Sequence, residues 1–228
     1  MRSWTIGLIL GLCCLSCTGP RQTAKELDAA LFWFLSPGQA AGWQPAAESV
    51  PRLGVKPVVV VAWVPVPAGS ENSTIRPPKA TRDLWIETVR AKLERRGAAA
   101  FASAPDTFDD GLTADGVQAL ARGRNAQLVV IFGVKLTHRR YNTANPQAIA
   151  PVDNTVEVLA RAQAVGLTPE GRPVFSDAKI GFDSEANGRR SVDEIEDVSI
   201  RVALEGVATA AAWRLRSAVG KPETGNSP

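Results

Sequence analysis

The sequence predicts an α/β fold in which helices cover a mixed sheet of about five strands, in the order β-α-β-α-β-β-β-α, with a long C-terminal helix. Two runs rich in β-branched residues are apolar without alternation, which is typical of strands buried on both faces of a sheet. Amphipathic segments with helical spacing alternate with these runs, and two alternating segments follow them. This order favours an α/β sandwich with crossover helices.

The first predicted element is a short helix from Thr23 to Leu35. Thr23 and Glu26 are spaced as a capping box, and leucines recur after them at helical spacing. The aromatic cluster Phe32-Trp33-Phe34 is expected to pack on the main domain. From Gln39 to Lys56 the sequence has no periodicity, which predicts a surface linker.

The first strand is predicted between Pro57 and Pro65, in a β-branched run that should lie centrally in the sheet. Glycine, serine, asparagine and proline dominate the segment from Val66 to Ala80, which predicts an exposed loop. A helix is predicted from Thr81 to Arg96 and a second strand from Ala98 to Ser103. The residues expected to form the buried face of this helix are Trp85, Ile86, Val89 and Leu93.

A turn at Asp109-Asp110-Gly111 is predicted to precede a helix from Thr113 to Asn125. The segment from Gln127 to Thr137 contains a continuous apolar run, which predicts a third strand buried on both faces. The segment from His138 to Asp153 is polar and interrupted by prolines. It is therefore predicted to be a second long loop.

An antiparallel hairpin is predicted from the alternating segments Thr155 to Leu167 and Pro173 to Phe182, which flank a turn-forming stretch. The C-terminal helix begins with the capping box Ser191-Val192-Asp193-Glu194. Small residues along this helix should let it lie close to the sheet. The residues that follow helical spacing along it are Ile195, Val198, Val202, Gly206, Ala210 and Trp213.

The composition indicates a protein with a sizeable core and no general affinity for nucleic acid. Of the 228 residues 45% are hydrophobic, and 26 basic against 23 acidic residues give a formal net charge of +3. A charge this close to balance does not indicate a nucleic-acid partner.

All three cysteines, Cys13, Cys14 and Cys17, lie at the end of a short apolar run. Met1 and Arg2 form a basic start, and the apolar stretch is shorter than the roughly 20 residues that span a bilayer. The segment from Cys14 to Cys17 resembles the lipobox of bacterial lipoproteins, which predicts lipidation of Cys17. The alternative is a secretory peptide cleaved nearby, with Cys17 left as a thiol or removed.

Four regions follow from these predictions. They are a lipoprotein signal peptide at residues 1–16, a lipid-anchored N-terminal helix and linker at 17–56, an α/β periplasmic domain at 57–219 and a disordered tail at 220–228. The resemblance to lipoproteins also implies a location. Because Thr18 rather than aspartate follows the cysteine, it implies the outer membrane with the protein on its periplasmic face.

No catalytic, cofactor-binding or metal-binding residue is predicted. The single histidine, His138, has no second histidine or serine elbow with which to form a catalytic group, and it is interpreted as a solvated strand end. Asp106, Asp109 and Asp110 are interpreted as turn formers rather than as a calcium site. Asp183 and Glu185 are interpreted as a strand exit, and no small-molecule substrate is indicated.

Four segments carry a resemblance to a known family. They are Leu27 to Gly38, Val61-Ala62-Trp63-Val64-Pro65, Ala126 to Val130, and Gly171-Arg172-Pro173-Val174-Phe175. They resemble the rhombotarget lipoprotein group, within the superfamily of the Tol-translocation-protein N-terminal domain and the lipoprotein activator of penicillin-binding proteins. The resemblance covers roughly Leu27 to Ser184, and it implies a location and an architecture rather than a reaction.

The function expected from these observations is that of a non-catalytic, lipid-anchored periplasmic protein that binds other envelope proteins as an adaptor or assembly factor. Its partners would be the membrane, through the lipid, and those proteins. Two alternatives remain open at this point. One is a subunit of a curli-type secretion pore, and the other is a hydrolase with an unrecognised carboxylate site.

Overall fold

A computed structural model describes residues 22–36, 39, 43–46, 57–67, 73–96, 100–101, 106–143, 153–186 and 188–218. Within them the sheet has four long strands, β1 (Val58–Trp63), β5 (Leu128–Thr143), β6 (Asp153–Leu167) and β7 (Pro173–Ala186). Three two-residue strands join it, β2 (Ser73–Thr74), β3 (Ala100–Phe101) and β4 (Asp106–Thr107). The helices are α1 (Ala24–Phe32), α2 (Lys79–Arg95), α3 (Ala114–Gly123) and α4 (Val192–Ala218).

The sheet is mixed, and its strands lie in the order β3-β1-β5-β6-β7. β1 runs parallel to β3, β4 and β5, whereas β5, β6 and β7 are antiparallel neighbours. The predicted fold class is therefore confirmed, including the long C-terminal helix. Of the predicted second strand, the structure describes the two residues of β3.

One face of the sheet packs against α2 and α4. Trp63 of β1 contacts Trp85 of α2, with ring centroids 5.2 Å apart, and Phe132 of β5, with centroids 5.5 Å apart. The four α2 residues predicted to face inward are all buried. Burial of side chains of this size stabilises a fold by about 1.5–3 kcal/mol each, so these contacts are a substantial part of the stability of the fold.

The other face packs against α1 and α3. Thr23 caps α1 as predicted: its hydroxyl accepts from the Glu26 N–H at 3.2 Å, and the Glu26 carboxylate accepts from the Thr23 N–H at 2.7 Å. Phe34 and Val117 pack with the outward side of the same strands, where Ile131 lies fully buried. The two apolar runs are thus covered on both sides, as their lack of alternation predicts.

Helix α4 lies unusually close to β6 and β7. A Cβ atom on Gly181 of β7 would lie only 1.9 Å from the Ser199 carbonyl oxygen of α4. The Ser199 hydroxyl is fully buried and donates to the Val158 carbonyl at 3.1 Å. Alanines on both elements complete the contact, which confirms the close approach predicted from small residues.

The inward face of α4 differs from the helical spacing noted in the sequence. Ile195 is buried, but Val202 is 50% exposed and Trp213 is 39% exposed. The buried positions are Ile195, Ser199, Ile200, Ala203, Leu204, Val207, Ala208, Ala211, Ala212 and Leu215. Half of these ten positions are serine or alanine, which suits the close approach to Gly181 and to the alanines of β6, and the other half are larger aliphatic residues.

The predicted loop from His138 to Asp153 is wrong over its first six residues. Strand β5 continues to Thr143, and its last residues pair with β6 in a register that ends at Thr143 and Asp153. Backbone pairing with β6 does not require apolar side chains, so a polar sequence continues the strand. β7 likewise extends beyond Phe182 to Ala186.

Several predicted regions lie outside the described residues. They are the signal peptide at 1–16 with Cys17, most of the linker from Gln39 to Lys56, and the tail at 220–228. The lipidation, signal-peptide and tail assignments therefore stay predictions.

We predict that Gly181→Ala destabilises the protein, because the added methyl group would overlap backbone atoms of α4 rather than a flexible side chain. Overpacking of this kind costs about 1–3 kcal/mol. The control is Gly123→Ala, at the end of α3, where a Cβ atom would meet nothing within 4 Å. Urea denaturation monitored by circular dichroism measures both. Equal midpoints for the two variants would contradict the close contact.

Candidate interaction surface

The predicted lipidation residue Cys17 precedes the first described residue, Gln22, by only a few positions. Gln22 is fastened to the edge strand β7. Its side-chain amide donates to the Ser176 carbonyl at 2.7 Å and to the Ser176 hydroxyl at 3.0 Å, and its side-chain oxygen accepts from the Ser176 N–H at 2.9 Å. The start of the described chain is therefore attached to the edge of the sheet.

His138 lies within β5 rather than at a strand end. Its Nε2 atom lies 2.7 Å from a carboxylate oxygen of Glu196 on α4, so the pair links the sheet to the helix. The side chain of His138 is 36% exposed. Among the described residues it contacts no nucleophile, and its one polar side-chain partner is this carboxylate.

Three of the carboxylates considered in the sequence, Asp109, Asp183 and Glu185, form ion pairs with arginines. Asp109 pairs with Arg82 of α2. Asp183 and Glu185 lie in the last four residues of β7, and both bind Arg190, which precedes α4. For Asp106 the structure describes the backbone in β4 and not the side chain.

Arg190 forms a clamp between the end of β7 and the start of α4. It donates to Asp183 at 2.6 and 3.1 Å, to Glu185 at 2.9 Å and to the Ser184 carbonyl at 2.7 Å. The Arg190 guanidinium lowers the pKa of Asp183 below its ordinary value. Sequence spacing alone does not reveal this clamp, because the arginine lies in an irregular stretch.

Two cationic side chains, Lys135 and Arg161, lie beside the ring of Trp33, which follows α1. Lys135 and Arg161 are directly opposite each other in β5 and β6. The Lys135 Nζ atom lies 5.1 Å and the Arg161 Cζ atom 5.6 Å from the Trp33 ring centroid, within cation-π range. Burial lowers the pKa of Lys135, and the charge of Arg161 lowers it further.

Beyond Trp33 the same face of the sheet is uncovered by any described element. Ile180 and Phe182 of β7 project from it and are 61% and 51% exposed, and Leu159 lies opposite Phe182 on β6. We call these three residues, with the flanking Arg139 and Glu157, the open face. Two large apolar side chains thus lie next to each other, and both are exposed. Contiguous exposed apolar residues are a feature of interaction sites.

On the other side of β7 a groove separates the strand from the C-terminal half of α4. Its volume is about 360 Å³. Arg96, Lys179, Arg214 and Arg216 line it with Trp213, and Asp177 is its single carboxylate. We call this the basic groove. Asp177 pairs with Arg214 at 3.3 Å, although burial raises the pKa of Asp177 overall.

The backbone of β7 joins these two surfaces. Ser176 and Ser184 have outward-facing backbone groups that side chains satisfy: Gln22 binds the first, and Asp183 and Arg190 bind the second. Because outward-facing residues recur with a period of two, Ala178, Ile180 and Phe182 also turn their N–H and C=O groups away from β6. No described residue pairs with these groups, and we call residues 178–182 the edge window.

Neither metal-binding nor membrane-spanning features occur in the described part of the chain. Its histidine, cysteine, aspartate and glutamate side chains form no group of three or more that could hold a metal ion. None of its helices combines the length and apolar character needed to cross a bilayer.

No protein-family model matches the chain, and no curated protein matches it significantly. The chain is similar to a solved PelC dodecamer from Paraburkholderia phytofirmans, at 17% identity and a TM-score of 0.34, over 71% of this chain and 94% of that one. It is also similar to a minor lipoprotein from Acinetobacter baumannii, at 10% identity and a TM-score of 0.37, over 72% and 92%.

A third similar structure is the rare lipoprotein B from Shewanella oneidensis, at 9% identity and a TM-score of 0.32, over 70% of this chain and 91% of that one. Superpositions as loose as these establish neither a shared function nor a shared assembly. The resemblance to the rhombotarget lipoprotein group therefore stays a prediction.

We predict that Arg190→Met lowers the urea midpoint at neutral pH, because it leaves Asp183 and Glu185 without their shared partner. A lowered pKa of Asp183 in the folded state stabilises the fold above the carboxyl's ordinary value of 3.8 and loses this effect as the pH falls through the lowered value. The difference between variant and wild type should therefore shrink below pH 3.8.

Arg189→Met is the matched control, since the neighbouring arginine is exposed and has no ion pair among the described residues. Its midpoint should follow that of the wild type at every pH. A pH-independent loss in Arg190→Met would indicate lost packing rather than lost charge pairing.

Proposed function

We propose that this protein is a non-catalytic envelope lipoprotein, anchored through lipid on Cys17 to the periplasmic face of the outer membrane, and that it binds other envelope proteins there. The anchor is supported by the lipobox-like segment from Cys14 to Cys17. Attached acyl chains partition into a bilayer with about 0.8 kcal/mol per buried methylene, so several chains together anchor a protein stably.

The observation that carries the binding role is the unpaired middle part of the edge strand β7, which lies between two exposed surfaces. The edge window, the open face and the basic groove all lie along β7. Exposed sheet edges that carry apolar side chains are usually covered or charged in monomeric proteins. This one is covered at its two ends by Gln22 and Arg190, and no described residue covers the part between them.

A short tether sets the position of this surface. Cys17 is separated from Gln22 by a chain that reaches at most about 18 Å when fully extended. Since Gln22 is bound to β7, the proposed lipid would keep the edge strand close to the membrane surface. Partners that approach along the membrane would meet the β7 side of the domain.

The position of the carboxylates supports a non-catalytic role. Asp109, Asp177, Asp183 and Glu185 each bind an arginine that joins two elements of the fold. A general acid or base must be able to exchange a proton with a substrate. Asp109 and Asp177 line cavities, but each is held there by its arginine, Arg82 or Arg214. The pKa changes of Asp177 and Asp183 are thus accounted for by packing and ion pairing within the fold.

We predict that Cys17→Ser prevents lipidation, because the acyl groups are attached through the sulfur atom. Mass spectrometry of the N-terminal peptide should find the acyl mass in the wild type and not in the variant, and only the wild type should sediment with membranes. Cys13→Ser is the control, since this cysteine lies in the segment that processing removes. Normal processing and sedimentation of Cys17→Ser would refute the anchor.

We predict that a photo-reactive amino acid at Phe182 cross-links the anchored protein to another envelope protein in cells. Leu84 on α2 is the control, because it is apolar and 64% exposed but distant from β7 in the fold. The same substitution at Trp213 samples the basic groove. If neither Phe182 nor Trp213 captures an envelope protein beyond the level at Leu84, the binding role is wrong.

A further inference from the structure

We propose that the edge window of β7 binds an extended, acidic peptide segment of the partner, which adds to the sheet as a further strand and places alternate side chains on the open face and in the basic groove. This inference rests on the proposed binding role and specifies its chemistry. It concerns residues 178–182 and the side chains on either side of them.

The backbone geometry defines the length of the segment. Ala178, Ile180 and Phe182 offer outward N–H and C=O groups, whereas the outward groups of Ser176 and Ser184 are already bound by side chains of the same protein. An added strand would therefore pair along this short stretch and end at the two caps. Main-chain pairing of this kind gives affinity without requiring a particular sequence.

The open face determines what the peptide needs on one side. Side chains of an added strand that lie opposite Ala178, Ile180 and Phe182 project on the same side of the sheet as these residues. There they would cover the exposed parts of Ile180 and Phe182, which are 61% and 51% accessible. Apolar residues at alternate positions therefore suit this side.

The basic groove determines what the peptide needs on the other side. The intervening side chains would project beside Lys179 toward the groove, whose charged lining consists of four cations and the single carboxylate of Asp177. Asp177 is already paired with Arg214. Carboxylates on the peptide would complement this charge, which favours a sequence that alternates apolar and acidic residues.

A second copy of the chain fits the window less well. Antiparallel pairing of two β7 strands about Ile180 would bring two basic grooves onto the same side of one continuous sheet. The like charges of their linings would repel each other. The caps at Ser176 and Ser184 would also meet the strand of the second copy beyond the window.

The test uses fluorescence anisotropy with the mature protein and a short labelled peptide that alternates valine and glutamate. A peptide that alternates valine and lysine is the charge control. We expect the acidic peptide to bind and the basic one to bind at least about tenfold more weakly. Equal affinity for the two peptides would overturn the proposed chemistry.

Ile180→Pro removes one outward N–H while leaving the β6 pairing intact, because this N–H faces away from β6. It should weaken binding of the acidic peptide about tenfold, whereas Ile180→Thr, which keeps the N–H, should weaken it less. Far-UV circular dichroism checks the fold of both variants. Unchanged affinity in Ile180→Pro would place the peptide elsewhere and overturn the proposal.

Two further measurements do not depend on the folding of a proline variant. Two peptides are compared, one N-methylated at its odd-numbered residues and the other at its even-numbered residues. One of them should no longer bind and the other should still bind, because only one of the two sets of amides faces β7. Lys179→Glu should weaken binding of the acidic peptide and strengthen binding of the basic one. Insensitivity to both changes would refute strand addition.

Self-association is tested by analytical ultracentrifugation of the mature protein. A concentration-dependent dimer that Ile180→Pro abolishes would assign the window to a second copy and overturn the peptide proposal. If the peptide does not bind but Phe182 or Trp213 still cross-links to an envelope protein, strand addition is wrong while the proposed function stands. Absence of both signals would refute the two together.

Discussion

The close contact between α4 and the strands β6 and β7 is the constraint on which the rest of the structure depends. Gly181 and the alanines of β6 let the helix backbone approach the sheet, and the Ser199 hydroxyl replaces a side-chain packing contact with a hydrogen bond to Val158. The helix extends over about 40 Å, so this contact covers most of one face of the antiparallel half. Among the described elements, the short α1 is the one that covers the opposite face of β6 and β7.

This asymmetry explains why Ile180 and Phe182 of β7 are exposed. α1 begins at Ala24 and ends at Phe32, which is too short to cover strands of 15 and 14 residues. Gln163 binds the Ala30 carbonyl at 2.7 Å and so fixes the last turn of α1 near the middle of the face. Ile180 and Phe182 lie past that point, where the helix no longer reaches.

The elements that the sequence predicts best are those whose burial is uniform. The β-branched runs at Val58 and Leu128 are covered on both faces, and the capping boxes at Thr23 and Ser191 are formed by residues close in sequence. The prediction is wrong for the last residues of β5, because backbone pairing alone extends that strand. It is also wrong for the buried face of α4, because the space between the helix and the sheet decides which residues are buried. The surface along β7 could not be predicted, since its edge position depends on strand order, and the Arg190 clamp depends on an irregular turn.

The attachment of Gln22 to Ser176 has a mechanical consequence. A pull on the proposed lipid tether enters the domain through one glutamine side chain at the margin of the sheet, and the residues it joins are 154 positions apart in the chain. Gln22 forms far fewer hydrogen bonds than the strand pair β6–β7 does. A pulling force on the tether would therefore detach Gln22 before it separated these two strands. Detachment of Gln22 would free the outward N–H and C=O groups of Ser176, so that the part of β7 open to pairing would begin two residues before the edge window.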